Sequence, residues 1–208
     1  MQTEKRDVRR KERTRAALVR AAQVLLANDA GDRAVSIQSI TDRADVGFGS
    51  FYNHFETKAD LFETAIAEAS RDYEMWLDDQ LGGETDPVRR LALSIRLTGR
   101  LHRTHPELTN LLIKQPGPDA GKRSLPIRAQ KDVVAAIQTI PGDGRRAGPT
   151  DVTVISACGA IAAVLRASVT LPDDARIALA DGLAADILRL LGVADPVIVD
   201  LINEPVDL

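Results

Sequence analysis

Between residues 47 and 54 the chain carries small and hydrogen-bonding side chains that suit contact with phosphates and base edges. In chain order they are Gly47, Phe48, Gly49, Ser50, Tyr52, Asn53 and His54. Hydroxyl, amide and imidazole groups can donate hydrogen bonds to phosphate oxygens. Glycine lets a backbone lie close to another surface, because it has no side chain to hold that surface away. The chemistry predicted is recognition of a nucleic acid, although these residues could also be ordinary surface side chains of a small helix.

A short helix must precede this segment to position it. Ile37, Ile40 and Ala44 recur at i, i+3 and i+7, which predicts a helix with one apolar face. Ser36 can cap its first turn, because a serine oxygen accepts from the free backbone amides there. The sequence Asp-Val-Gly at 45–47 ends the helix, and Asp tolerates the left-handed backbone that a tight turn can require.

A second short helix is predicted over about residues 48–54. Phe51 and Phe55 share its inward face at i, i+4, which leaves the hydrogen-bonding side chains outward. Two short helices joined by a turn predict a helix-turn-helix, whose second helix fits a DNA major groove. Gln38 can pair with adenine and Phe48 can touch a thymine methyl, although Phe48 could instead pack inward. Lys58 lies in the first turn of the next helix, where free amides attract phosphate.

The charge distribution favours the same end of the chain. Residues 1–20 hold eight basic and three acidic residues, a net charge of +5, whereas the whole chain of 208 residues has −3, so the remainder carries −8. A basic end on an acidic body predicts an electrostatic contact confined to that end. Residues 1–8 are polar and are expected to be disordered, with the first helix over residues 9–28.

The run F-Y-N-H-F-E-T-K-A-D-L-F at 51–62, preceded by I-T-D-R-A-D-V-G-F-G-S at 40–50, resembles the signature of the TetR family of bacterial transcriptional regulators. The resemblance covers about the first 65 residues. Asp45 replaces the glycine usual at the turn, and Gly47 replaces a common serine or threonine that could supply a cap or a phosphate contact. The resemblance implies phosphate contacts by Tyr52, His54 and Lys58. It further implies backbone contacts by Ser36 and Ser50.

The whole chain is predicted to be all-α, with about nine helices in two domains. The first is a three-helix helix-turn-helix DNA-binding domain at residues 1–57, and the second, at 58–208, is a ligand-binding and dimerisation domain. Helices after the first three are predicted at 58–81, 87–102, 107–114, 126–140, 150–169 and 173–191. Residues 115–124 and 141–149 are predicted loops, and the tail after Pro196 is expected to be loosely held.

Small and branched residues at helical spacing mark the eighth and ninth predicted helices. They are Ile155, Gly159, Ala162, Ala163, Arg166, Ile177, Ala180, Leu183, Ala184, Ile187 and Leu191. Two such helices from each of two subunits would make a four-helix homodimer interface, as the resemblance also implies. Alternatively, both helices belong simply to the core of one chain.

The resemblance implies a repressor that binds a palindromic double-stranded DNA operator and is released by a small apolar or amphipathic effector. The effector location carries over to the second domain, but the side chains do not. Candidate lining residues, each of which could equally be plain core, are Tyr73, Trp76, Leu97, Leu101, Leu112, Val134 and Leu165.

Other classes of function find little support in the residues. No nucleophile motif and no glycine-rich phosphate loop occurs, so we expect no catalytic residue and no cofactor. His102 and His105 lack suitably spaced partners for a metal. A single cysteine, Cys158, and the lack of a membrane-spanning apolar run favour a cytoplasmic protein with no membrane partner. Two alternatives remain: a helical small-molecule-binding protein or enzyme with a non-functional DNA head, and a non-specific DNA packager, which the acidic body disfavours.

Overall fold

A computed structural model describes residues 2–28, 35–113, 125–140, 151–168 and 170–206, and ten α-helices account for nearly all of them. The helices are α1 Gln2–Asn28, α2 Ile37–Arg43, α3 Phe48–Tyr52, α4 Lys58–Leu81, α5 Pro87–Thr104, α6 Pro106–Ile113, α7 Leu125–Thr139, α8 Val152–Ser168, α9 Asp173–Leu191 and α10 Asp195–Asn203. No strand occurs in these ranges, so the all-α prediction is confirmed. Helices α4 to α9 begin and end within about two residues of their predicted bounds.

The chain divides into two compact units. The first contains Met1–Arg71 with Glu107–Gly117, and the second contains Asp72–Pro106 with Pro118–Leu208. Helix α4 begins in the first unit and ends in the second. The domain boundary placed after residue 57 from the sequence stays a prediction.

The core of the first unit is built by α1, α2, α3 and the first turns of α4. Its buried residues are Leu18, Val19, Ala21, Ala22, Val35, Ile40, Phe51, Phe55, Leu61, Phe62 and Ala65. Leu18, Ile40, Phe51 and Leu61, one from each helix, are completely buried. Because each helix contributes to this one cluster, apolar burial fixes α3 against its neighbours.

The expectation of a disordered N-terminus is wrong, since α1 begins at Gln2 rather than near residue 9. The first turns are rich in Gln, Glu, Lys and Arg, which have high helix propensity and extend the helix that the packed part of α1 nucleates. Residues 6–13 are exposed on this extension, which keeps its basic side chains available to an anionic partner.

The second unit is a helical bundle in which α5 packs against α7 and α9, and α8 packs against both α7 and α9. The core residues come from these four helices and from α10. The prediction of a loosely held tail is therefore wrong, because the chain there forms α10. Pro196 occupies its first turn, a favoured position, and Ile198 and Leu201, at i and i+3, are buried in the core. Both predicted loops, 115–124 and 141–149, lie wholly outside the described residues.

The contact of α5 with α9 depends on Gly99. A Cβ atom added at Gly99 would collide with the Cβ atom of Ala180, because the two backbones approach closely there. Replacing Gly99 with alanine is expected to lower the free energy of unfolding by about 1–3 kcal/mol, the usual cost of overpacking. Urea unfolding would measure the loss. The double variant Gly99→Ala/Ala180→Gly should recover part of it, whereas an unchanged midpoint for Gly99→Ala would contradict the close approach.

Candidate functional site

A reciprocal cap fixes the start of α2. The Ser39 backbone amide donates to Ser36 Oγ at 3.0 Å, and the Ser36 backbone amide donates to Ser39 Oγ at 3.0 Å. This is a capping box, with serine in the place where glutamate is more usual. The predicted role of Ser36 as a cap is confirmed, and its side chain stays exposed.

The turn between α2 and α3 places its unusual backbone at Asp45. That residue has φ +53°, the only positive φ outside glycine among the described residues, whereas Gly47 has φ −66° and caps α3 in an extended conformation. Asp accepts this left-handed conformation better than most residues. Asp45 therefore accommodates the turn, as expected from its side chain.

Helix α3 separates an inward from an outward aromatic face. Phe51 and Phe55 are buried. Phe48 and Tyr52 are 47% and 57% exposed, and their rings meet edge to face with centroids 5.8 Å apart. Phe48 therefore does not pack inward, and that alternative is wrong. A Cβ atom added at Gly49 would meet nothing within 4 Å, so the middle of this face is open.

The remaining predicted contacts in α3 and just after its end differ in exposure. Asn53 is exposed, and Ser50 and His54 are half-buried. Burial lowers the pKa of His54 below its ordinary value, and the positive charges of Arg15 and Lys11 lower it further. The imidazole is therefore neutral near pH 7, and it can still donate one N–H to a phosphate oxygen.

Lys58 and Gln38 are engaged within the chain. The Lys58 ammonium donates to the Val35 carbonyl at 2.9 Å and lies 5.4 Å from the Phe62 ring centroid. Gln38 Nε2 donates to Asp42 Oδ1 at 2.6 Å. A bidentate contact to adenine requires Gln38 to leave Asp42, and the DNA contacts of both residues stay predictions.

A cavity of about 20 Å³ lies within the second unit, with room for about one water molecule. Its polar lining is Tyr73, Ser94, Thr98, Arg128 and Asp132. Its apolar lining is Leu77, Leu91, Ile95, Ala129, Ile161 and Leu165. A side-chain network surrounds the polar wall, since Arg128 Nη2 donates to Asp78 Oδ1 at 2.7 Å and Arg128 Nε to Asp132 Oδ2 at 3.2 Å.

Two of the seven effector-pocket candidates, Tyr73 and Leu165, line this cavity. The other five, which do not line it, are Trp76, Leu97, Leu101, Leu112 and Val134. Trp76 stacks on Tyr73 with centroids 6.3 Å apart, whereas the leucines are buried and Val134 packs against the core. Sequence reasoning missed the polar wall. A usable signal existed in polar pairs at i, i+4 on otherwise apolar faces: Ser94 with Thr98, and Arg128 with Asp132.

The residues that α8 and α9 expose are only partly those predicted for a dimer interface. On α8, Val152 and Ile155 are 78% and 56% exposed, and Gly159 and Ala163 continue that face. The α9 residues named from the sequence lie mostly in the chain's own core: Ala180, Leu183, Ala184 and Ile187 are buried. The small residues that α9 exposes are instead Ala175, Ala178 and Gly182.

Two further findings concern only the part of the chain that is described. Every helix there is too short or too polar to cross a lipid bilayer. No three His, Cys, Asp or Glu side chains converge there on a point where a metal ion could bind.

The exposed face of α3, held by the cap of α2 and the turn at Asp45, defines a helix-turn-helix DNA-binding protein. The family of bacterial regulatory proteins of the tetR type matches residues 18–65. Residues 18–65 are therefore a DNA-binding domain of the TetR type, and the chain is a ligand-responsive DNA-binding transcriptional regulator. Members of this family are generally regulators rather than enzymes.

Two solved structures are similar along nearly the whole chain. RolR in complex with resorcinol has a TM-score of 0.68 and 25% identity, and the alignment covers 97% of this chain and 98% of that one. RolR without ligand has a TM-score of 0.65 and 24% identity, with 93% and 98% covered. No curated protein sequence matches the chain.

Proposed function

We propose that the protein is a cytoplasmic repressor that binds a palindromic operator as a homodimer and releases it when a small amphipathic effector binds. The observation that supports this most directly is the outward face of α3, where Phe48 and Tyr52 flank the open position at Gly49. One short helix reads few bases, whereas two half-sites about 34 Å apart multiply affinity and specificity.

The homodimer would form through α8 and α9. The exposed apolar side chains Val152 and Ile155 lie on the same face of α8 as Gly159, and α9 exposes Gly182. A Cβ atom added at either glycine would meet nothing within 4 Å, so these positions are open to a second helix. Covering such a face with its copy removes apolar surface from water, and small residues let the backbones approach.

The effector would occupy the cavity of the second unit. Similarity to a protein that has been solved with resorcinol supports a small organic ligand and makes resorcinol the first compound to test. Tyr73 and Leu77, which line the cavity, lie on α4, the helix that begins in the DNA-binding unit. A ligand too large for the present cavity would displace α4, and a preference of a few kcal/mol for the displaced state would release DNA.

DNase footprinting on the DNA that flanks the protein's own gene tests this proposal. The wild-type protein should protect a region with dyad symmetry that spans two successive major grooves, and resorcinol or a related effector should remove the protection. Ile155→Glu should dissociate the dimer in size-exclusion chromatography and abolish protection, because it buries a charge in the interface. Met75→Glu is the matched control, since Met75 is 68% exposed on α4. A dimer that protects no flanking fragment would contradict the proposal.

A further inference from the structure

Hydroxyl groups on the polar wall of the cavity use their hydrogens within the chain. Thr98 Oγ1 donates to the Ser94 carbonyl at 2.6 Å. Because the only hydroxyl hydrogen of Thr98 is used in that bond, Thr98 Oγ1 can only accept from the Tyr73 hydroxyl, which lies 2.7 Å away. Burial raises the pKa of Tyr73 to about 12, so this hydroxyl keeps its hydrogen at physiological pH. The Tyr73 oxygen can therefore offer a cavity ligand only its lone pairs.

The hydrogen bonds of the Asp132 carboxylate, the acidic group of the wall, can be assigned in the same way. Ser94 Oγ donates to Asp132 Oδ2 at 3.1 Å, and Arg128 Nε donates to that oxygen at 3.2 Å. The other oxygen, Oδ1, lies 3.6 Å from Arg90 Nε, which is too long for a good hydrogen bond. Asp132 Oδ1 therefore keeps acceptor capacity. The open acceptors on this wall, the Tyr73 oxygen and Asp132 Oδ1, call for a ligand group that brings hydrogens, whereas Arg128 has further N–H groups that can donate to the oxygen of that same group.

Charge balance around the cavity selects against ions. Asp78 and Asp132 stand against Arg90 and Arg128, with N–O distances of 2.6–3.6 Å between them. The cluster is neutral as it stands. The hydrogen bond from Arg128 to Asp78 holds the pKa of Asp78 below its ordinary value, which keeps this carboxylate charged. A carboxylate or ammonium on the ligand would leave one charge unpaired beside a largely apolar wall, which is costly.

We propose that the effector is an uncharged molecule with a small apolar body and one or two hydroxyl groups, each of which donates its hydrogen to either Asp132 or Tyr73. This inference rests on the proposed function, because it assumes that the cavity is the effector site. The apolar body would lie against the opposite wall, formed by Leu77, Leu91, Ile95, Ile161 and Leu165. Since the cavity has room for about one water molecule, the ligand must widen it.

A four-compound series tests the ligand class by isothermal titration calorimetry on the full chain. Toluene, phenol, resorcinol and benzoate present a ring of similar size with no hydroxyl, one hydroxyl, two hydroxyls and a carboxylate. Resorcinol should bind most tightly, then phenol, with toluene and benzoate weaker by about tenfold or more. Equal affinity for toluene and phenol, preference for benzoate, or binding of none of the four would overturn the proposal.

Two variants test the named acceptors. Asp132→Asn should weaken resorcinol binding about tenfold or more, because it removes a charged acceptor, while toluene binding stays unchanged. Tyr73→Phe removes one acceptor oxygen without changing charge and should weaken resorcinol binding by a smaller factor. If Asp132→Asn does not fold, Tyr73→Phe alone tests whether these acceptors bind the ligand. Asp195→Asn is the matched control, since this exposed carboxylate pairs with Arg189 and does not line the cavity. Unchanged affinity in whichever cavity variants fold would refute the assignment.

The failure of this inference can be told apart from the failure of the proposed function. Footprinting without any added compound tests operator binding alone. A protein that protects its operator but binds none of the four compounds refutes only the ligand class. A protein that binds resorcinol through Asp132 but protects no DNA refutes the regulatory role and leaves the cavity assignment standing.

Discussion

Replacing Gly49 with glutamate is expected to weaken operator binding by at least about a hundredfold and to leave the fold intact. Gly49 is exposed on α3, and nothing lies within 4 Å of an added Cβ atom, so the side chain fits the free protein. A carboxylate near the start of a helix also interacts favourably with the helix dipole, so it does not destabilise α3. In the complex it would face base edges and phosphates without a cation, and an unpaired buried charge costs several kcal/mol. Electrophoretic mobility shift with the footprinted fragment would measure the loss.

A charge added elsewhere in the same unit is the control for this result. Ala67 is exposed on α4, so Ala67→Glu changes the net charge equally without entering the α3 face. It should weaken binding by only a few fold, through general repulsion that salt screens. Thermal unfolding should place both variants close to the wild type. Equal losses for the two variants would mean that binding follows net charge, and the α3 face would then not be the reading surface.

The helix-turn-helix was predictable because its determinants are close together in the sequence. Ile40 belongs to the apolar spacing of one short helix and Phe51 to that of the next, and the structure buries both completely. Ser36 and Asp45 are identified by local backbone chemistry, as cap and as turn residue. Local rules of this kind involve few residues and act over one or two turns, so they survive folding largely unchanged.

The cavity was not predictable in the same way, because its wall is assembled from four helices distant in sequence. Tyr73, Thr98, Arg128 and Leu165 come from α4, α5, α7 and α8. Helical spacing shows that a side chain faces inward, but whether it meets another side chain or a void depends on packing between helices. Leu101 was a candidate by this spacing and lies in plain core. The α10 helix was missed for a related reason, since its two buried residues are too few for a clear period.

Removing the Asp181 carboxylate is expected to destabilise the second unit by about 3 kcal/mol, the usual cost of breaking a buried ion pair from one side. Asp181 accepts from Arg96 at 3.0 Å and from Arg100 at 2.7 and 2.8 Å. The side chains of Arg96 and Arg100 are only 3% and 9% exposed. Asp181→Ala leaves two guanidinium groups buried beside each other without an anion. Urea unfolding at fixed protein concentration would measure the change, and Asp186→Ala, on the same helix but 78% exposed, should cost almost nothing.

Acid pH provides a second test of the same carboxylate. Burial alone would raise the pKa of Asp181, but the hydrogen bonds from Arg100 and Arg96 outweigh it and hold the pKa below the ordinary value. A lowered pKa in the folded state stabilises the fold at any pH above the unfolded value of about 3.9 and stops doing so as pH falls through the folded value. The stability difference between wild type and Asp181→Ala should therefore be constant above about pH 5 and shrink below about pH 4. A difference that instead grew toward acid pH would show that Asp181 is neutral in the folded protein, and the two arginines would then need another anion.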